Sequence, residues 1–208
     1  MTPEQIEALF TRDDETYLFA RWARPIAPVV FGVDERTLSV IKGAIEAVVA
    51  LAGHQMAETD PELGSNLMVF FARDWDELLA LDGLEKMVPE IGATVARLKA
   101  QQANQYRFFR FEETGEIKAA FVFVRMDESL SEMAAEDLAL VQAVQVILLW
   151  GDGAFGETSP LAKAPGGQVM LRPEIAAVIA AGYDPALPGM TRDSTAHALR
   201  LFARIKAG

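Results

Sequence analysis

Two glutamines, Gln142 and Gln145, are the first residues that could bind a ligand, because they interrupt the most apolar stretch of the chain. All other side chains from residue 138 to residue 150 are apolar. A buried amide without hydrogen-bond partners costs roughly 1–3 kcal/mol. Both side chains must therefore either bond to neighbouring backbone or line a cleft, and the sequence leaves both interpretations open.

A second group of polar residues follows this stretch and offers carboxylate and hydroxyl oxygens. Its members are Asp152, Glu157, Ser159, Tyr183 and Asp184. Two carboxylates in a cleft could act as general acid and base, as in glycoside hydrolysis. The chain has 30 acidic residues, so such a pair near a loop also arises by chance. Tyr183 and Asp184 precede a proline, which is typical of a turn.

The histidines lack the spacing of a metalloprotease zinc site. Zinc proteases place two histidines four residues apart on one helix, with a glutamate beside the first. With Gln142 in the second histidine position, the first position falls on Leu138 and the glutamate position on Ala139. His54 and His197 lie far apart in the sequence. We therefore predict that the protein has no catalytic metal and no cofactor.

Residues 129–152 are predicted to form the longest helix and to organise the fold. Ser129 and Glu132 have the spacing of a capping box, and nearby acidic residues favour the positive end of the helix dipole. A helix that is apolar on all sides is buried on all sides, and Gly151 is typical of a helix end. The apolar run is shorter than the ~20 residues that a membrane span needs.

The remaining patterns predict an α+β protein. Alternating or continuous apolar residues predict strands at 26–32 and 67–72, and a hairpin formed by 106–111 and 117–124. Further helices are predicted over 2–11, 34–52, 89–102, 173–181 and 191–206, with a short helix starting at residue 74. We expect one domain over residues 1–208, with the sheet and central helix in 12–150 and a loop and helical subdomain in 151–208.

Composition and net charge limit the classes of partner and chemistry that the protein can have. The net charge of −11 and the absence of a basic cluster argue against nucleic acid. The chain has no cysteine, so disulfides and thiolate chemistry are excluded. The N-terminus as written lacks the features of a signal peptide, which favours the cytoplasm, or the cell envelope if a signal was removed. If Leu199, Leu201 and Phe202 are exposed together, the last helix would form a homodimer contact.

The element order and several short motifs resemble known proteins. A mixed sheet over a buried helix resembles the N-terminal half of zincin-type metalloproteases. The run 183–190 is similar to the tail of a bacterial family of domains of unknown function, number twenty-nine twenty-seven. Over roughly residues 19–200, further residues fill places similar to the motifs of that family. They are Asn66, Gln142, Asp152 and Ser159, together with Arg21-Trp22 and Pro25-Ile26 near the start. Ala139 stands where that family has a glutamate.

This resemblance implies a zincin-like mixed sheet packed on a long buried helix, without the metal. Our first functional hypothesis is a non-catalytic domain that binds a peptide, a protein partner or its own copy in a cleft beside Gln142 and Gln145. The alternative is a metal-independent hydrolase that uses Asp152, Glu157 and Asp184. The two hypotheses differ in whether these carboxylates converge on one pocket.

Overall fold

The computed structural model describes residues 1–207 and contains both helices and strands, which confirms the predicted α+β class. The helices are α1 Pro3–Ala8, α2 Glu35–Leu51, α3 Leu84–Met87, α4 Ile91–Ala100, α5 Glu128–Ser131, α6 Ala135–Ile147, α7 Pro173–Gly182 and α8 Ser194–Ala207, and a 3-10 helix spans Trp75–Ala80. The strands are β1 Phe19–Ala20, β2 Pro28–Phe31, β3 Leu67–Ala72, β4 Gln105–Phe111, β5 Ile117–Arg125, β6 Leu161–Lys163, β7 Val169–Leu171 and β8 Met190–Thr191.

A mixed sheet of four strands, in the order β2-β3-β5-β4, forms the centre of the fold within residues 1–207. The strands β2, β3 and β5 run parallel, whereas β4 returns antiparallel to β5 through the predicted hairpin. The central strands β3 and β5 are apolar on both faces, as expected for strands that are covered on both sides. Since β4 pairs with β5 alone, β4 is an edge strand.

Helices cover both faces of this sheet. On one face, α2 and α6 pack together and bury Ile45 and Val146 against Val122 in the main hydrophobic core. On the other face, the 3-10 helix, α3 and α4 cover Phe121 and Phe123 in a second core. The helix α8 packs on both α1 and α7, and all three helices contribute residues to the main core. No helix in the described part of the chain is long and apolar enough to cross a membrane.

The bounds predicted for the central helix, residues 129–152, are wrong. The chain instead forms the short helix α5, breaks, and then forms α6, which ends at Ile147. The capping role predicted for Ser129 belongs to Asp127, whose side chain accepts a hydrogen bond from the Leu130 N–H. The helix stops before Gly151 because the next residues pair with β1: the Leu149 N–H donates to the Ala20 carbonyl at 2.9 Å.

Short elements that depend on distant partners were also not predicted. Two-residue strands β1 and β8 pair with each other, and β6 and β7 form a small hairpin in the loop after α6. The apolar residues proposed as a homodimer contact on α8 are not exposed together. Leu199 is exposed, but Leu201 is fully buried and Phe202 is half-buried.

Candidate functional site

A cleft of about 750 Å³ lies between β4 and the segment that follows α6. Its lining combines cationic and aromatic side chains, chiefly Arg12, Arg97, Arg107, Phe109, Trp150 and Phe155. Gln145, predicted as a ligand-binding residue, lines the same cleft. The volume lies within the range of about 300–1,000 Å³ that is usual for ligand sites.

The backbone of β4 is open along this cleft. The Arg125 N–H donates to the Asn104 carbonyl at 2.8 Å, which fixes the alternation of the antiparallel ladder. In such a ladder, residues that pair with the neighbouring strand alternate with residues whose N–H and C=O point away from it. The outward set is Gln105, Arg107 and Phe109. No hydrogen bond within residues 1–207 occupies the outer edge that these three residues form.

The same three residues direct their side chains toward α6, because side chains alternate between the two faces of a strand. Phe109 packs against the main core, whereas Tyr106 and Phe108 pack against the second core on the other face. Gln105 and Arg107 meet Gln142 of α6. One set of residues on β4 therefore supplies both open backbone groups and side chains in the wall of the cleft.

Gln142 joins α6 to β4 through a polar cluster behind the cleft wall. Arg107 Nη2 donates to Gln142 Oε1 at 2.7 Å and to Gln105 Oε1 at 2.9 Å. Gln142 Nε2 donates to Gln105 Oε1 at 3.0 Å. Gln142 is buried with side-chain partners rather than backbone partners. In contrast, Gln145 Oε1 is buried without a hydrogen-bond partner among the described residues.

Arg107 brings a positive charge into this cluster without a matching carboxylate. No ion pair with Arg107 occurs in the described part of the chain, and its Nε is buried without an acceptor. Burial lowers the pKa of Arg107 to about 10, so the guanidinium is still protonated at neutral pH. The other cleft arginines differ: Arg12 pairs with Asp152 at 3.4 Å, and Arg97 lies 5.6 Å from the ring centre of Tyr106.

The aromatic floor of the cleft is fixed by the segment after α6. Trp150 donates its indole N–H to the Val144 carbonyl at 2.8 Å and stacks on Phe10 at 5.2 Å. Gly151 donates its N–H to the Leu9 carbonyl at 2.8 Å. A side chain at residue 151 would place Cβ only 2.2 Å from the Thr11 carbonyl oxygen, so this close approach requires glycine.

The glycines of the loop 151–156 have the spacing G-x-G-x-x-G, which also occurs in dinucleotide-binding loops. That function requires the glycines to follow a strand and to open a helix. Here the loop follows α6 and leads to the β6–β7 hairpin. The glycines therefore form a turn beside the cleft and do not form a dinucleotide site.

The predicted carboxylates and hydroxyls do not share one site. Asp152 lies at the cleft, where it pairs with Arg12 and accepts a hydrogen bond from the Asp13 N–H at 3.1 Å. Glu157 is exposed on the loop. Ser159 lies beside a separate pocket of about 390 Å³, and its Oγ accepts a hydrogen bond from the Leu161 N–H.

Tyr183 and Asp184 hold the C-terminal part against the rest of the fold. The Tyr183 hydroxyl donates to the Ile147 carbonyl at 2.7 Å, and burial raises the pKa of this phenol. Asp184 pairs with Arg204 of α8 at 2.7 Å and accepts a hydrogen bond from the Ala186 N–H. Both residues therefore stabilise the packing of the C-terminal part, and neither lines the cleft.

The histidines also have separate structural partners. His54 Nε2 lies 2.9 Å from the Arg24 carbonyl oxygen. His197 is buried beside Phe19, and its Nδ1 lies 2.6 Å from the Tyr17 hydroxyl. Burial lowers the pKa of His197 to about 4. Within residues 1–207, no group of three or more His, Cys, Asp or Glu side chains could hold a metal ion.

Sequence reasoning missed the role of Arg107 and Gln105. The sequence analysis assigned residues 106–111 to a hairpin strand and gave Arg107 and Arg110 no role in a site. The alternation of β4 contained the missing signal, since it places Arg107 on the same face as Phe109 and places exposed Arg110 on the other face. The contact of this face with Gln142 joins residues far apart in sequence.

Comparisons with protein-family models, with curated proteins and with solved structures each gave no match. The fold and the site by themselves define an α+β protein with an open sheet edge beside a cationic, aromatic cleft.

Proposed function

We propose that the protein is a non-catalytic domain that binds an extended peptide segment of a partner protein. The observation that carries this proposal is the outer edge of β4, where Gln105, Arg107 and Phe109 present unpaired backbone groups directly beside the cleft. Extended peptides commonly add a strand to such an edge. Main-chain hydrogen bonds then supply affinity, and pockets for alternate side chains supply specificity.

The geometry of β4 sets the register of the added strand. In an antiparallel arrangement, the peptide residues opposite Gln105, Arg107 and Phe109 exchange hydrogen bonds with them. Directly opposite residues place their side chains on the same face of the sheet. Alternate side chains of the peptide therefore enter the cleft between β4 and Trp150, while the others face away.

A separate partner fits this edge better than a second copy of the chain. The cleft-facing residues of β4 include Arg107 and contain no carboxylate. Pairing two copies of β4 around Arg107 would bring like charges together, which destabilises a strand pair. The bound segment therefore belongs to another protein in this proposal.

The zincin-like scaffold and kinship with family twenty-nine twenty-seven are part of the proposal. The zincin-like scaffold is proposed from the mixed sheet that packs on α6, and the kinship is proposed from the short sequence motifs alone, because no family model matches the chain. The alternative hydrolase has less support. Asp152 pairs with Arg12 and Asp184 with Arg204, while Glu157 is exposed on the loop.

A proline substitution in β4 tests strand addition. Random peptides displayed on phage are selected on the immobilised protein, and the enriched peptides are synthesised for fluorescence anisotropy. Phe109→Pro removes an N–H that points away from β5, so the edge strand should still fold. Phe109→Ala is the matched control, because it removes the same side chain but keeps the N–H.

We expect the enriched peptides to bind Phe109→Ala at least about tenfold more tightly than Phe109→Pro, because a main-chain hydrogen bond is lost and the strand edge is blocked. Circular dichroism checks that both variants are folded. Strand addition on β4 is wrong if no peptide is enriched above background, or if the folded proline variant binds as well as the alanine variant.

A further inference from the structure

The guanidinium of Arg107 has unused binding capacity inside the cleft wall. A guanidinium carries five N–H donors. The hydrogen bonds of Arg107 within residues 1–207 both come from Nη2, and Nε is buried without an acceptor. Their acceptors are neutral amide oxygens of Gln105 and Gln142, so the charge itself is not neutralised.

Two other half-buried arginines, Arg24 and Arg21, have several hydrogen-bond acceptors within the chain. Arg24 pairs with Asp60, Glu62 and Glu112. Arg21 donates to three backbone carbonyls of the C-terminal part, with distances of 3.0 to 3.1 Å. Arg107 differs although the chain has 30 acidic residues and a net charge of −11. Arg107 is half-buried, and an unpaired charge that is partly withdrawn from water is costly, so its natural complement is an anionic group from outside the chain.

We infer that the cleft recognises an acidic side chain, so that the bound segment carries aspartate or glutamate opposite Arg107. This inference rests on the proposed strand addition to β4. A carboxylate matches the planar fork of a guanidinium with two parallel hydrogen bonds, which no other protein side chain does as well. The residue opposite Arg107 on an added strand lies on the cleft face, within reach of this fork.

The register predicts a second feature of the bound segment. In an antiparallel strand, the residue opposite Phe109 comes two positions before the residue opposite Arg107. This earlier residue enters the aromatic part of the cleft, near Trp150 and Phe155, whose ring centres lie 5.0 Å apart. The segment therefore has the pattern apolar, any residue, acidic.

Charge exchange in the peptide tests the inference without any change to the protein. One enriched peptide is synthesised in three forms that carry Glu, Gln or Lys at the acidic position. We expect the Gln form to bind wild-type protein about tenfold more weakly than the Glu form, and the Lys form more weakly still. The measurement is the Kd from fluorescence anisotropy.

Variants of the protein locate the effect. Arg107→Gln should bind the Glu and Gln peptides equally, whereas Arg110→Gln should keep the full preference. Arg110 is the matched control because it is an exposed arginine on the other face of the same strand. Thermal melts show whether each variant is folded, and the peptide series on wild-type protein still decides the question if Arg107→Gln is not.

The outcomes separate this inference from the proposed function. Equal binding of the Glu and Gln peptides by wild-type protein, with binding still blocked by Phe109→Pro, would leave strand addition standing and overturn acidic recognition. A preference for Glu that persists in Arg107→Gln would also overturn it. Failure to enrich any peptide would remove the proposed function and this inference together.

Discussion

Two partly buried polar clusters of this protein each contain an arginine and a side-chain amide but differ in whether their hydrogen bonds are complete. The Asn66 cluster consists of Arg24, Asp60 and Asn66. Fully buried Asn66 accepts a hydrogen bond from the Ala27 N–H at 2.8 Å and donates to the Pro25 carbonyl at 2.9 Å and to Asp60 at 3.2 Å. Asp60 accepts two backbone N–H bonds and pairs with Arg24.

The Arg107 cluster consists of Gln105, Arg107, Gln142 and Gln145. Here Arg107 Nε and Gln145 Oε1 are buried without partners, and the cationic charge is unmatched among the described residues. Most buried polar groups in folded proteins are satisfied, so exceptions require an explanation. The Asn66 cluster therefore stabilises the fold through a complete set of internal partners, whereas the Arg107 cluster borders a cleft and keeps donors that are free for the proposed ligand.

The largest effect is expected at the Asn66 cluster. Asn66→Leu keeps a similar volume but leaves the Ala27 N–H, the Pro25 carbonyl and part of Asp60 without partners. We expect a loss of about 4 kcal/mol in the free energy of unfolding, since each unsatisfied buried group costs about 1–3 kcal/mol. Urea denaturation measures this loss. A loss below about 1 kcal/mol would remove the structural half of the comparison.

His197 is a control for the Arg107 cluster, because its Nε2 is also buried without a partner but lies in no described cleft. Its folded-state pKa of about 4 lies below the ordinary value of 6.5. The unfolded chain therefore binds a proton first as pH falls through 6.5, and stability declines until about pH 4. Arg200 and Arg21 oppose protonation and Asp193 favours it, but burial is the main cause.

We expect this histidine to make wild-type protein lose about 2–3 kcal/mol between pH 6.5 and pH 4. Protonation of carboxylates with lowered pKa, such as Asp60 and Asp127, also begins to weaken the fold at the low end of this range. Their contribution cancels when wild-type protein is compared with His197→Phe, whose stability should decline less by that amount. Urea denaturation measures both losses. If the two proteins lose the same stability between pH 6.5 and pH 4, the pKa of His197 is not lowered in the folded protein.

A smaller effect is expected for Arg107→Met. The variant removes an unpaired charge, but it also leaves Gln142 Oε1 without its donor, and an unsatisfied buried acceptor costs about 1–3 kcal/mol. Because no ion pair is broken, we expect a net loss below about 2 kcal/mol in the free energy of unfolding. The exposed control Arg110→Met should change the stability by less than about 0.5 kcal/mol. If Arg107→Met destabilises the protein as strongly as Asn66→Leu does, Arg107 is a structural residue and the contrast between the clusters fails.

The smallest effect is expected for Asp152→Asn. Its ion pair with Arg12 is solvent-exposed, so we expect a stability change below about 0.5 kcal/mol. Affinity for an acidic peptide should rise slightly, because the variant removes a negative charge beside the cleft. A hydrolase that used Asp152 would lose its activity instead. Weaker binding of the acidic peptide would contradict the assignment of the cleft as a site for anions.

Local patterns predicted the elements whose stability is local. The helix pattern at 34–52 predicted α2, which Asp34 caps by accepting a hydrogen bond from the Thr37 N–H at 2.7 Å, and alternation along 106–111 and 117–124 predicted the β4–β5 hairpin. The end of α6 could not be predicted, because Leu149 leaves the helix to pair with Ala20, far away in the sequence.

The site was predictable only in part. An apolar helix made Gln142 and Gln145 conspicuous, and both lie in or behind the cleft wall. Their partner Arg107 could not be identified, since its place beside Gln142 depends on how β4 packs on α6. Tyr183 was conspicuous for its motif, but its hydroxyl bonds to the Ile147 carbonyl and it serves the scaffold.

Amide hydrogen exchange along β4, measured by NMR with and without an enriched acidic peptide, shows directly whether the outer edge of β4 accepts an added strand. In the free protein, the amides of Tyr106 and Phe108 should exchange slowly, and those of Gln105, Arg107 and Phe109 should exchange fast, because they point away from β5. We predict that the peptide slows exchange at Gln105, Arg107 and Phe109. Bound peptide that leaves these three amides exchanging as fast as before would contradict strand addition at this edge.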